Sequence, residues 1–76
     1  MNKPKLAIVT GASTGIGKHI SIKLSENNYH VILIARNKQK LKLVENKIKD
    51  KGNDCSKINA DISLESEIDK IYSQIN

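Results

Sequence analysis

Tryptophan and phenylalanine are absent from this chain, and Tyr29 and Tyr72 are its only aromatic residues. That scarcity removes the row of stacking faces on which single-stranded nucleic acid is normally held. Cysteine occurs once, at Cys55, so neither an internal disulfide nor a cysteine metal site can form, in keeping with a reducing cytoplasm. The single proline, Pro4, precedes the first apolar run. No run approaches the roughly 20 apolar residues of a membrane helix. The start, MNKPKLAIV, sets two lysines before an apolar stretch, but LAIV falls short of the about 7 to 15 residues of a secretory core. A chain of 76 residues makes one small domain. Such a domain buries only about 60–65% of its unfolded surface, so its stability is expected to be marginal.

Basic residues are in excess, 13 against 8 acidic, for a net charge of +5. Lys38, Lys40, Lys42, Lys47, Lys49 and Lys51 crowd one segment, but Glu45 and Asp50 interrupt them and no aromatic residue is interleaved. This pattern fits a solvated helix face better than a groove tracking phosphates, and no nucleic-acid partner is expected. Every basic residue but one is lysine; Arg36 is the exception.

What the chain does have is a glycine motif in a telling place. Thr10 to Gly17 reads TGASTGIG, after the apolar run LAIVT and before a helix-patterned stretch. Gly11 allows a tight bend, Gly15 lets backbone approach a phosphate, and Gly17 lets a helix pack close to a strand. The helix beginning near Gly15 would point its free N–H groups and positive dipole end at an anion. The mononucleotide P-loop, GxxxxGK[ST], is the nearest competitor. Aligned on Gly17-Lys18 it requires glycine at 12 and serine or threonine at 19, where this chain has Ala12 and His19. The arrangement therefore points to the pyrophosphate of a dinucleotide.

The rest of the chain alternates in period. Lys5 to Thr10 reads as a buried strand. Ile16, Ile20 and Leu24 recur every fourth residue from Gly15 to about Asn27, with Glu26-Asn27-Asn28 as the stop. His30 to Ala35 is a continuous apolar run of the kind found in a parallel strand covered on both faces. Leu41, Val44 and Ile48 make a helical stripe within residues 38 to 51, closed by Gly52 as a C-cap. Asp54 to Ala60 is a weaker strand. Ser63 reads as an N-cap for a last helix, whose stripe is Leu64, Ile68, Ile71 and Ile75. The order β-α-β-α-β-α predicts an α/β fold: a three-layer half-Rossmann unit with a parallel sheet of order 3-2-1, ending before a fourth strand.

TGxxxGxG, with Asn59-Ala60-Asp61-Ile62 downstream, resembles the nucleotide-binding start of the short-chain dehydrogenase/reductase family. The resemblance runs through all of residues 1–76 and corresponds to the first third of that family's fold. It implies that Ser13, Thr14 and Ile16 give hydroxyls or backbone N–H groups to ribose and pyrophosphate. It also implies that Asp61 accepts from the adenine amino group while Ile62 packs beside the ring. The end of the second strand, Ile34-Ala35-Arg36-Asn37, carries no carboxylate to select NAD through the ribose hydroxyls. Arg36 can instead grip a 2′-phosphate, helped by the Ser13 hydroxyl, so the expected cofactor is NADP rather than NAD. The expected cofactor-binding set is Gly11, Ser13, Thr14, Gly15, Ile16, Gly17, Arg36, Asn37, Asp61 and Ile62.

The family's later Asn-Ala-Gly segment, catalytic serine and YxxxK pair have no counterparts. Four residues beyond Tyr72 stands Asn76, not a lysine that could lower a phenol pKa. No catalytic residue is assigned, and this chain alone is expected to be inactive. His19 reads as a surface helix residue and His30 as the start of a strand. The principal reading is the NADP(H)-binding segment of a carbonyl or alcohol oxidoreductase. A stand-alone nucleotide-binding or redox-sensing module is the alternative, and a small basic nucleic-acid binder is a distant third. Leu6, Ala7, Ile8 and Val9, left on a sheet edge, are expected to promote self-association.

Overall fold

Short apolar runs separated by two amphipathic stretches pair in parallel, because each connection is long enough for a helical crossover. The computed structural model describes residues 5–61, together with Asp69, Ser73 and Gln74. The elements are β1 (Lys5–Thr10), α1 (Gly15–Glu26), β2 (Tyr29–Ala35), α2 (Lys38–Asp50) and β3 (Cys55–Asn59). The sheet order is β1-β2-β3, the expected 3-2-1 read from the other edge. Register runs from Lys5↔Tyr29 to Thr10↔Ile34, and from Val31↔Cys55 to Ala35↔Asn59. The third layer was expected from the helix with Ser63, Leu64, Ile68, Ile71 and Ile75; these residues, like Ile62 and Tyr72, lie outside the described ones. Asp69, Ser73 and Gln74 are helical and exposed.

The central strand β2 is covered on both faces, as its unbroken apolar sequence requires. Val31, Leu33 and Ala35 point one way, into a core with Leu41, Val44 and Ile48 of α2, Cys55 of β3 and Ala12 of the glycine loop. Ile32 and Ile34 point the other way, toward Ala60 and Ile58. Both helices pack on the first of these faces, because the sheet order advances in one direction and the two crossovers share a hand. Full burial of side chains such as Leu33, Leu41 and Ile48 contributes about 1.5–3 kcal/mol each before entropy is counted. Burial also pushes the Cys55 thiol above its ordinary value.

Helix α2 buries the expected stripe, Leu41, Val44 and Ile48. It closes as expected at Gly52, where φ is +84°. Gly52 N–H donates to Lys49 O at 2.9 Å and Asn53 N–H to Ile48 O at 3.2 Å, the crossed pair of a Schellman cap. Helix α1 departs from expectation. Ile16 and Ile20 are 79% and 44% exposed, while Ser21 and Ser25 are its buried residues. Ile22 and Leu24 pack against the core from its flanks. The small serines let α1 lie close to the sheet, and their hydroxyls donate to Gly17 O and Ile22 O at 2.7 Å each, so neither is buried unsatisfied. Of the four-residue apolar repeat only Leu24 packs on the sheet side; Ile16 and Ile20 do not.

Candidate functional site

All three strands end at the same rim of the sheet, where Thr10-Gly11, Ala35-Arg36 and Ala60-Asp61 come together. They border an open cavity of about 520 Å³, also lined by Ser13, Thr14, Asn37 and Lys40. Crevices beyond the carboxyl ends of parallel strands are where such sheets bind ligands. The strand ends are stitched by backbone bonds: Ala12 N–H to Ile34 O and Ala60 N–H to Ala35 O, both 3.1 Å. Asn59 adds a clamp, its Nδ2 donating to Ala35 O at 3.0 Å and to Arg36 O at 2.8 Å. These bonds fix the backbone that presents Arg36.

The glycine loop is shaped by sterics. A Cβ on Gly17 would overlap the Gly11 carbonyl oxygen and come within 2.8 Å of its carbon, so α1 can seat against the loop only with glycine there. Gly15 has φ +55° and open space where a side chain would be. Thr14, the residue before α1, makes no side-chain cap, and the first turn carries no acidic residue. The N–H groups of that first turn, which have no partner within the helix, therefore stay available to an anion with no competing carboxylate on the turn.

Most of the expected residues do meet here. Gly11, Ser13, Thr14, Arg36, Asn37 and Asp61 border the first cavity, and Gly15 borders a second one alongside. Gly17 supports the loop from behind, and Ile16 points outward with most of its surface exposed. Asn37 has a structural task as well: its Oδ1 accepts from Lys40 N–H at 3.0 Å and caps α2. Arg36 and Asp61 form an ion pair, Nη1 to Oδ2 at 3.9 Å, with the Arg36 side chain 78% exposed. Ile62 lies outside the described residues. Sequence reasoning missed Lys40 and Asn59. Asn59 stands within the motif itself, but its clamp depends on the register of β3 against β2; Lys40 was hidden among five other lysines of its segment.

Residues 5–76 match the profile of the short chain dehydrogenase family. The chain belongs to this family. A very-long-chain 3-oxoacyl-CoA reductase of Rattus norvegicus is 42% identical over 71 residues, covering 92% of this chain and 23% of that protein. An uncharacterised oxidoreductase of Staphylococcus epidermidis is 39% identical over 74 residues, covering 96% of this chain and 30% of the relative. Among solved structures, a metagenomic short-chain oxidoreductase in complex with NADP superimposes with a TM-score of 0.88 at 35% identity, covering 93% of this chain and 32% of that one. The chain thus spans no more than about a third of the length of these family members. Among the described residues no helix is long and apolar enough to cross a membrane, and no group of histidine, cysteine and carboxylate side chains could hold a metal ion.

Proposed function

We propose that residues 1–76 are the NADP(H)-binding first half of a dinucleotide-binding domain, belonging to an oxidoreductase that acts on carbonyls or alcohols. The observation that carries this reading is the rim where the glycine loop, Arg36 and Asp61 border one cavity. Pyrophosphate would lie over Gly15 and the N-terminus of α1, and adenine beside Asp61 and Ile62. The 2′-phosphate would be met by Arg36 and Ser13. Arg36 can turn from Asp61 to a phosphate at little cost, because an exposed ion pair contributes only about 0–1 kcal/mol. The family membership supports the nicotinamide cofactor, and the NADP in the metagenomic relative supports the phosphorylated form. Catalytic side chains are assigned to none of these residues. We further infer that the chain on its own associates through β1.

Titration of the 76-residue chain with NADPH and NADH tests the cofactor assignment. NADPH is expected to bind more tightly, and Arg36→Ala to remove about 2 kcal/mol of that preference, the magnitude of a charge-assisted contact. Equal affinity of the unaltered chain for both cofactors would overturn it.

A further inference from the structure

Among the described residues three lysines of this surface are tied to carboxylates, whereas several others, Lys18, Lys38, Lys40, Lys42 and Lys47 among them, are not. Lys49 and Lys57 share Glu45, and Lys51 reaches Glu26 at 2.7 Å. Lys18, early in α1, and Lys40, in the first turn of α2, have no acidic partner among the described residues. Both instead line a second cavity of about 310 Å³ between the two helices, with Ser13, Thr14 and Gly15. Lys40, Ser13 and Thr14 also line the first cavity, so they mark the seam where the two meet. Asp61 and Arg36 border only the first. An anion at the seam would find ammonium groups, hydroxyls and the positive end of α1, with no carboxylate on the second cavity's wall. Lys18 is further crowded by Lys47, whose contact and charge hold the Lys18 amine below its ordinary value; a bound anion would relieve that repulsion.

We propose that Lys40 is a second specificity determinant, holding the 2′-phosphate of NADP(H) at this seam against the Ser13 hydroxyl, with Lys18 flanking it. The inference rests on the dinucleotide reading above and adds a residue to it. Arg36 then approaches the same phosphate from the strand end while Lys40 approaches from the helix. A dianionic monoester has oxygens enough for both, and two cations from different elements fix its position better than one.

Adenosine 2′,5′-bisphosphate and 5′-AMP, titrated calorimetrically into the full chain, isolate the phosphate from the nicotinamide. The unaltered chain is expected to prefer the bisphosphate. Lys40→Ala should cut that preference by about tenfold while leaving 5′-AMP affinity in place, as expected for loss of one charge-assisted contact. Lys40→Arg should restore it, and Lys42→Ala, an exposed lysine outside both cavities, should leave it unchanged. A Lys40→Ala chain that keeps the preference while Arg36→Ala loses it would retire the Lys40 assignment alone. Equal weakening of both nucleotides by Lys40→Ala would also retire it, since the effect would not belong to the 2′-phosphate. An unaltered chain that binds neither nucleotide, or both equally, would overturn the NADP reading and the Lys40 assignment together.

Discussion

Gly17 and Gly15 belong to one motif but are glycine for different reasons, and the difference is measurable. At Gly17 the obstacle is backbone: an added methyl would run into the Gly11 carbonyl, which the loop cannot move without lifting α1 from the sheet. Gly17→Ala is therefore expected to destabilise the chain by about 1–3 kcal/mol or more, as overpacking against fixed atoms does. At Gly15 the space is open and only the positive φ resists a side chain, at about 1–2 kcal/mol. Urea unfolding of the two alanine variants should rank Gly17→Ala as the more damaging. The reverse order would mean that the close approach of α1 to the loop is not what the glycine secures. Arg36 and Asp61 show a different economy. Their ion pair is long and open to water, so it orients two groups bordering the cavity without locking them.

At the scale of elements, α2 is the piece that ties the unit together. Its inner face fills the core with Leu41, Val44 and Ile48, and beside that face the partly buried Glu45 accepts, through Oε1, from Lys57 of β3 at 3.0 Å. The Lys57 hydrogen bond, reinforced by the charge of Lys49, holds the Glu45 carboxyl below its ordinary value despite partial burial. A carboxyl whose folded pKa lies below its unfolded one contributes stability above the unfolded pKa, about 4.3, and that contribution is lost as pH falls through the folded value. Thermal melts of the unaltered chain should show Tm falling on acidification below about pH 4.3. The fall should be shallower in Glu45→Gln, which carries no titrating carboxyl. Identical acid profiles for the two chains would show that the helix-to-strand tie is not linked to stability. Helix α1 is held differently, by close approach of serines and by Lys51 reaching Glu26 from the far end of α2. That arrangement leaves Ile16 and Ile20 on its open side.

Seen whole, the sheet has two unlike edges. The β3 edge exposes Ser56, Lys57 and Asn59, polar groups that discourage further pairing. The β1 edge exposes Leu6 at 57% and Ile8 at 49%, and among the described residues β1 pairs only with β2. Nothing within Leu6 to Val9 protects that edge: there is no charge, no proline and no bulge. Sedimentation velocity of the isolated chain should therefore show concentration-dependent association. Ile8→Lys, which sets a charge on that edge, should shift it toward monomer. A unaltered chain that stays monomeric at high concentration would refute the inference.

Much of this was legible in sequence because the relevant physics is local. A glycine triplet between an apolar strand and a helix fixes a turn, and the continuous run from His30 to Ala35 could only be a doubly covered strand. A stripe ending at Gly52 set the length of α2 to within a residue. The lone arginine at a strand end could be singled out before any neighbour was known. Other features depended on what lies across a gap, which no spacing rule reports. The sheet-facing side of α1 was decided by how near the helix can come to the glycine loop, and that favoured Ser21 and Ser25 over Ile16 and Ile20. The clamp of Asn59 on the carbonyls of Ala35 and Arg36 required the register of β3 against β2. Lys40 became distinct from its neighbouring lysines only when the crossover brought the first turn of α2 beside the glycine loop, where two cavities share its side chain. Sequence determined the elements and the motif; packing decided which faces are buried and which cations border the site.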